Sequence, residues 1–361
     1  MSTKVDLNTK VSVNGYLAKA KKAYTTRRVE FNDCWVLIHK AVPKSGDLVF
    51  ARVEKIGQQK RIELSNGRRA RLFVGDEIVV VYGNRYAPDQ FEAIVPDTLD
   101  TCHLVAAGGV AARFLTKHDR MKAPTIIKPI GILGDIHRQP LNLSQFSLKK
   151  AANGGRRPLT IAVAGTSMNS GKTTTAASLV KGLTSYGMKV GAAKITGTGS
   201  GGDIWFMKDS GANPAFDFVD AGFPSTYRIP FNQVETILDS LTGNLACADV
   251  DAIVLEIADG LYQEETARLL SSKKLMEKID GLIFAAGEAL GAKAGVEWLN
   301  RLDISVAALS GTLTRSPLAM REAEKALNIK VLTSDDLSNP VIAEYLHERF
   351  PKQNIKKCVN F

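Results

Sequence analysis

One stretch of the sequence has the residue types and spacing of a loop that holds phosphate groups. Residues 164–174 read Ala-Gly-Thr-Ser-Met-Asn-Ser-Gly-Lys-Thr-Thr. The apolar run at residues 159–164 predicts a buried parallel strand, and residues 173–186 have apolar side chains at helical spacing. A glycine-bearing loop between a strand and a helix offers unpaired backbone N–H groups and the positive end of the helix dipole to an anion. The sequence therefore predicts a phosphate-binding loop.

Two side chains of this loop have predicted chemical roles. Lys172 would reach the terminal phosphates of a nucleotide as a point charge, and the Thr173 hydroxyl would help to hold Mg²⁺. The other predicted nucleotide-binding residues of the loop are Gly165, Thr166, Asn169, Ser170, Gly171 and Thr174. The competing interpretation, a glycine-rich turn that binds nothing, is disfavoured by the flanking strand and helix.

Further candidate residues lie at the ends of predicted strands. In an open parallel sheet, ligands bind beyond the carboxyl ends of the strands. Lys194 ends the second predicted strand, and Glu256 ends the fourth, where P-loop enzymes place a carboxylate that holds metal or orients water. Asp220 follows the third strand and is the favoured metal ligand beside Thr173 and Glu256. The alternative acids are Asp203, Asp217 and Asp259.

Several of these assignments have a plainer alternative. Lys194 could be a surface lysine of a flexible loop, and Asp220 could be an ordinary turn or N-cap aspartate. Arg315, in the loop after the sixth predicted strand, either contacts phosphate or opens a helix at the surface. We expect Lys172, Lys194 and Glu256 to carry the chemistry, because each is placed by the strand-end rule or by the loop itself.

The loop and the strand-end residues resemble those of known P-loop proteins over about residues 159–335. The Gly165-Thr166 start with the later Gly-Lys-Thr resembles dethiobiotin synthetase, and the Asn-Ser-Gly-Lys-Thr-Thr core resembles the GTP-binding protein of molybdopterin-guanine dinucleotide synthesis. The Glu256 segment resembles its counterpart in dethiobiotin synthetase and cobyric acid synthase, although Asp259 departs from that pattern. The resemblance implies that Lys194 stabilises a transferring phosphate, and it implies a homodimer.

Composition shifts divide the chain into four predicted regions. Residues 1–28 form a basic arm, residues 29–150 a mainly β and barrel-like domain, residues 151–158 a linker, and residues 159–361 a P-loop domain. The best hairpin signal is Asn66-Gly67 between residues 61–65 and 68–73, because Asn-Gly supplies the positive φ angles of a tight turn. From Leu159 onward, strands and helices alternate. The predicted fold class is therefore α/β, with a mostly parallel C-terminal sheet and a smaller β domain.

Charge is distributed unevenly over these regions. The chain has a net charge of +10, and residues 1–157 carry 27 lysines and arginines against 14 acids. This half suits nucleic acid or another polyanion, and the stretch at residues 82–86 would suit base stacking, but a solvated basic surface is favoured. Four scattered cysteines do not indicate a disulfide framework or a zinc site. Because the sequence has neither a membrane span nor a signal-peptide core, we expect a cytoplasmic protein that is not in the membrane.

Two functions fit the sequence. The favoured one is a Mg²⁺- and ATP-dependent enzyme that activates a small carboxylate or carbamate by phosphoryl transfer. The alternative is an NTP-dependent switch whose basic β domain binds a protein or a nucleic acid, the latter not favoured. No guanine-reading motif is present, so GTP stays open beside ATP.

Overall fold

The computed structural model describes Val13 and residues 15–149, 151 and 157–351. The chain divides into two compact units. Unit 1 comprises Met1–Leu148, Thr198–Gly202 and Phe218–Arg228, and unit 2 comprises Lys149–Gly197, Asp203–Asp217 and Ile229–Phe361. The sequence prediction placed all of residues 159–361 in one domain. Unit 1 includes two short pieces of that range, and the predicted domain bounds stay a prediction.

Unit 1 is built from short strands. They are β1 (Lys21–Lys22), β2 (Val36–Ile38), β3 (Leu48–Lys55), β4 (Arg61–Glu63), β5 (Arg69–Arg71), β6 (Glu77–Tyr82), β7 (Arg85–Tyr86), β8 (Phe91–Ile94), β9 (Cys102–Ala106), β10 (Val110–Lys117) and β11 (Thr125–Gly134). The pairings run β6–β3–β11–β9–β10, and β10 also pairs with β6, which closes a ring of five strands. Alternate side chains of these strands point into the ring and are fully buried, among them Ile78, Val80 and Leu104. The mainly β, barrel-like prediction is confirmed.

The predicted basic arm is in part an ordered piece of unit 1. Residues 1–12 and 14 lie outside the described residues. Residues 15–19 are helical, and β1 pairs in parallel with β6. Ala23 and Tyr24 are fully buried. The lysines and arginines therefore lie on both sides of a buried apolar segment, which the number of charges alone did not predict.

Unit 2 contains a six-stranded sheet with the order β14-β13-β15-β12-β16-β17. Its strands are β12 (Leu159–Gly165), β13 (Val190–Lys194), β14 (Ala215–Asp217), β15 (Ala252–Glu256), β16 (Gly281–Ala285) and β17 (Val306–Ser310). All of its strand pairs are parallel. The sheet confirms the predicted α/β class.

The helices α1 to α9 follow these strands. They are α1 (Lys172–Ser185), α2 (Gly202–Asp209), α3 (Phe231–Cys247), α4 (Glu264–Leu270), α5 (Lys273–Lys278), α6 (Ala289–Asn300), α7 (Pro317–Leu327), α8 (Ser334–Ser338) and α9 (Ile342–Arg349). In the described part of the chain, none is long and apolar enough to cross a membrane. After β17, Val331 forms an isolated parallel bridge to Leu309, and Thr333 then caps α8.

Burial explains why the phosphate loop has a rigid base. Every residue of β12 is buried, as the continuous apolar run predicted. On α1, Leu179, Val180 and Leu183 are fully buried in the core cluster that also contains Ile161 and Val163 of β12. The strand and the helix that flank the loop therefore share one packed core.

Candidate nucleotide-binding site

The predicted phosphate loop joins the end of β12 to the start of α1. Asn169 and Gly171 have positive φ angles of 65° and 98°, which asparagine and glycine tolerate better than other residues. A Cβ atom on Gly171 would lie 2.8 Å from the Cα of Gly311, so only glycine fits at the helix start. The Gly165 position also has no room for a side chain, because a Cβ atom there would lie 2.5 Å from Ser170 Oγ. The loop therefore has the backbone shape of an anion cradle at a helix N-terminus.

Lys172 is buried at the first position of α1. Its Nζ atom donates a hydrogen bond to the Ser167 carbonyl oxygen at 2.6 Å, so the ammonium lies back over the loop. Burial lowers the pKa of Lys172, and the negative charges of Glu256 and Asp259 oppose that shift. This ammonium is within reach of an anion held by the loop.

Thr173 and Glu256 form the polar contact expected of a metal site. The Thr173 hydroxyl donates to Glu256 Oε1 at 2.8 Å. Glu256 ends β15 and is aligned with Val163 of β12 and Lys194 of β13. Burial, followed by the charge of Asp203, raises the pKa of Glu256 to about 7, while Lys194 lowers it. The carboxylate is thus held where β13 and β15 end, beside the last residues of β12 before the phosphate loop.

Lys194 and Asp203 form an ion pair beside Glu256. Burial alone would lower the pKa of Lys194, but the charges of Asp203 and Glu256 outweigh it and raise the pKa. Burial would raise the pKa of Asp203, and Lys194 reverses that effect, so its pKa is lowered. Lys194 is therefore a charged, buried group, which disagrees with a surface lysine of a flexible loop.

The remaining predicted acids have different surroundings. Asp220 belongs to unit 1, where its carboxylate pairs with Arg27 at 2.7 Å and with Arg28 at 3.9 Å. The expectation that Asp220 holds metal stays a prediction, but two arginines already neutralise this carboxylate. Asp217 ends β14, aligned with Lys194, and is fully buried. Asp259 has a positive φ angle of 66° in the loop after β15.

Two contacts of the candidate site were not predicted from the sequence. One is a hydrogen bond that holds the phosphate loop, and the other is an ion pair beside Glu256. The Thr312 N–H donates to the Ser170 carbonyl oxygen at 2.9 Å, which anchors the loop. The signal was Gly311, whose φ angle is 98° at the end of β17. Arg315 lies in the 3₁₀ turn that follows, and its role stays a prediction. The second missed feature is the pairing of Asp203 with Lys194.

The residues at the loop fit Mg²⁺ only together with phosphate oxygens. Among the described residues, no group of three or more His, Cys, Asp or Glu side chains has the arrangement of a metal centre. However, Glu256 Oε2 is buried and has no hydrogen-bond partner in the described part of the chain, beside the Thr173 hydroxyl. Mg²⁺ is usually held by one or two carboxylates plus substrate phosphates and waters. Thr173 and Glu256 suit that pattern.

Unit 2 has an α/β fold in which the strand β12, the loop and the helix α1 have the arrangement of a P-loop. No protein family matches the sequence, and no curated protein matches it. Among solved structures, the signal recognition particle receptor FtsY from Elizabethkingia anophelis aligns at 15% identity with a TM-score of 0.37, over 59% of this chain and 75% of that one. The signal recognition particle 54 kDa protein from Aeropyrum pernix K1, in complex with GDP, aligns at 18% identity with a TM-score of 0.37, over 58% and 53%. FtsY from Thermotoga maritima aligns at 15% identity with a TM-score of 0.36, over 54% and 67%.

These likenesses carry no argument about activity or partners, because every TM-score is below 0.5. The P-loop assignment depends instead on the strand, loop and helix described above. The finer resemblance to dethiobiotin synthetase is not supported by any of these structures.

Proposed function

We propose that this chain is a Mg²⁺-dependent NTP switch, in which the nucleotide at the phosphate loop changes the state of the β unit. The observation that carries the proposal is the course of the chain after β13 and β14. The strand β13 ends at Lys194 of the candidate site, and β14 ends at Asp217, which is aligned with Lys194. After each strand the chain enters unit 1, at Thr198–Gly202 and at Phe218–Arg228. In switch NTPases, segments next to the terminal phosphate are ordered by the triphosphate and released on hydrolysis.

Contacts inside unit 1 hold both segments. The Gly201 N–H donates to Glu63 Oε2 at 2.9 Å, and the Gly199 N–H donates to the Pro224 carbonyl oxygen at 2.9 Å. In the second segment, Arg27 pairs with Asp220, and the Tyr227 hydroxyl donates to Glu92 at 3.0 Å. A change at the start or end of either segment would therefore act on strands of unit 1.

Four side chains give the site its response to the terminal phosphate. Lys172 would exchange the Ser167 carbonyl oxygen for a phosphate oxygen. Thr173 and Glu256 would hold Mg²⁺, which would supply positive charge to the phosphate. Lys194 is the second cation, and an added anion would compete with Asp203 for it. Because Asp203 directly follows the segment at 198–202, that competition is the proposed link to unit 1.

A switch must discriminate triphosphate from diphosphate, since a ligand that binds two states equally shifts nothing. Calorimetry with ATP, GTP and their diphosphates in Mg²⁺ measures this directly. Lys172→Ala should abolish triphosphate binding, whereas Lys181→Ala, an exposed lysine of α1, should leave it unchanged. Equal affinity for tri- and diphosphate, or full affinity in Lys172→Ala, would overturn the proposal.

A second candidate is phosphoryl transfer to a small carboxylate or carbamate, as the sequence favoured. The observation in its favour is Lys194, a buried ammonium beside Glu256 that could stabilise a transferring phosphate as well as sense one. A thermal-shift screen of nucleotides crossed with small carboxylic acids tests it. Stabilisation by one acid class, with turnover that needs that acid, would favour the enzyme over the switch. Homodimerisation stays a prediction that sedimentation in nucleotide would test.

A further inference from the structure

The two-stranded hairpin of β4 and β5 carries an unusual concentration of positive charge. Its two strands align Arg61 with Arg71 and Glu63 with Arg69. Ile62, Ala70 and Leu72 point into the core of unit 1 and are at most 3% exposed. The cationic side chains on and beside the hairpin are exposed, and we call them the arginine face: Lys60, Arg61, Arg68, Arg69 and Arg71.

The five cationic side chains of the arginine face have no acidic partner in the described part of the chain. Among the described residues, none of its five side chains forms an ion pair or a hydrogen bond. The hairpin's own acid, Glu63, is buried and accepts the Gly201 N–H. Arg61 and Arg71 are directly opposite each other, where like charges destabilise a strand pair. A bound polyanion would remove that repulsion, so charge complementarity selects an anionic partner.

An exposed aromatic ring beside the arginine face favours one class of polyanion over others. Phe73 follows β5 and is 60% exposed, although large apolar side chains are usually buried. A positively charged surface with an exposed aromatic ring is the combination that binds single-stranded nucleic acid, because the backbone meets the cations and a base stacks on the ring. Lys21 Nζ lies 5.6 Å from the centre of the Phe73 ring, so the ring borders a further cation. An acidic peptide would use the cations but would not supply a base to stack on the ring. We propose that the arginine face and Phe73 form a binding surface for single-stranded nucleic acid.

The hairpin also contacts one of the two segments that enter unit 1. Besides the Glu63 contact, a Cβ atom on Gly202 would lie 3.6 Å from the Arg69 guanidinium. Gly202 directly precedes Asp203 of the candidate nucleotide site. Regulation of nucleic-acid binding by the nucleotide rests on the proposed switch, whereas binding itself does not.

Fluorescence anisotropy with a labelled oligouridine, over a salt series, tests the surface. Each lost contact to a single strand lowers the salt-dependence slope by about 0.7. The triple variant Arg61→Gln, Arg69→Gln, Arg71→Gln should therefore lose about 2 from that slope and bind more weakly. Phe73→Ala should weaken binding by about tenfold with an unchanged slope, since one base would lose its stacking partner while every phosphate contact is kept.

The matched control removes three exposed cations from or near β10 of the same unit, with Arg113→Gln, Lys117→Gln, Arg120→Gln. Equal losses in the two triple variants, or no binding by the wild type, would overturn the inference. The inference would also be overturned, in favour of an acidic protein as partner, if polyglutamate displaced all of the oligouridine and bound Phe73→Ala as tightly as the wild type. Unchanged circular dichroism checks that the variants fold. If oligouridine binds with the same affinity with and without nucleotide, the binding surface is supported and the switch is contradicted. If nucleotide binds but oligouridine does not, the binding surface is contradicted and the switch is not.

Discussion

The buried pair of Lys194 and Asp203 gives the most quantitative test of the site. Lys194→Met keeps the length of the side chain and removes its charge. The variant leaves Asp203 without its ammonium partner, and it removes the cation that lowers the pKa of Glu256. Removing one partner of a buried ion pair leaves an uncompensated charge, which costs about 3–5 kcal/mol.

The exposure of the two side chains decides where in that range the loss lies. The Lys194 side chain is 11% exposed, and the Asp203 side chain is 29% exposed, so Asp203 keeps some contact with water. We therefore expect a loss near the lower limit, about 3 kcal/mol. Removing both charges, with Lys194→Met and Asp203→Asn together, should recover more than about 1 kcal/mol, because no orphan charge remains.

Urea denaturation of the nucleotide-free protein measures these differences. The matched control is the pair of Lys189 and Asp249, also in unit 2 and 3.1 Å apart, with side chains 65% and 93% exposed. Lys189→Met should lose no more than about 1 kcal/mol, as solvent-exposed pairs do. Equal losses at Lys194 and Lys189, or a double variant no more stable than Lys194→Met, would refute the reasoning from burial.

Two further predictions concern the acids. Burial raises the pKa of Glu256 from the usual 4.5 to about 7, so its protonated form stabilises the fold below about pH 4.5 and that contribution is lost as the pH rises through about 7. Relative to Glu256→Gln, the nucleotide-free wild type should lose about 3 kcal/mol over that window in urea titrations, and a constant difference would contradict it. Asp220→Asn should destabilise unit 1 by breaking its pair with Arg27 but leave Mg²⁺-dependent nucleotide affinity unchanged; a loss of the Mg²⁺ effect in calorimetry would restore Asp220 as a metal ligand.

The positions of the candidate residues that lie close together in the chain could be predicted from the sequence, while their roles stay predictions. The phosphate loop is contiguous, so Gly171, Lys172 and Thr173 could be placed from spacing alone. Glu256 could be placed because parallel strands end at one edge of the sheet. The hairpin at Asn66-Gly67 was readable for the same reason, since its turn is local.

The parts that the sequence did not reveal depend on contacts between distant residues. The partner of Asp220 is Arg27, which is 193 residues earlier in the chain. Lys194 and Asp203 are nine residues apart, and the loop between them, which includes residues 198–202 of unit 1, has no local pattern that predicts their contact. The ring of unit 1 depends on pairings such as β3 with β11, which no local pattern specifies.

Hydrogen–deuterium exchange tests the central proposal, that the nucleotide at the loop acts on the β unit. The protein would be compared with Mg²⁺ and a non-hydrolysable triphosphate, and with Mg²⁺ and the diphosphate. We expect a difference at the phosphate loop and also at residues 198–202 and 218–228, where the backbone N–H groups of Gly199 and Gly201 are hydrogen-bonded within unit 1. A difference confined to the phosphate loop and α1 would contradict the account.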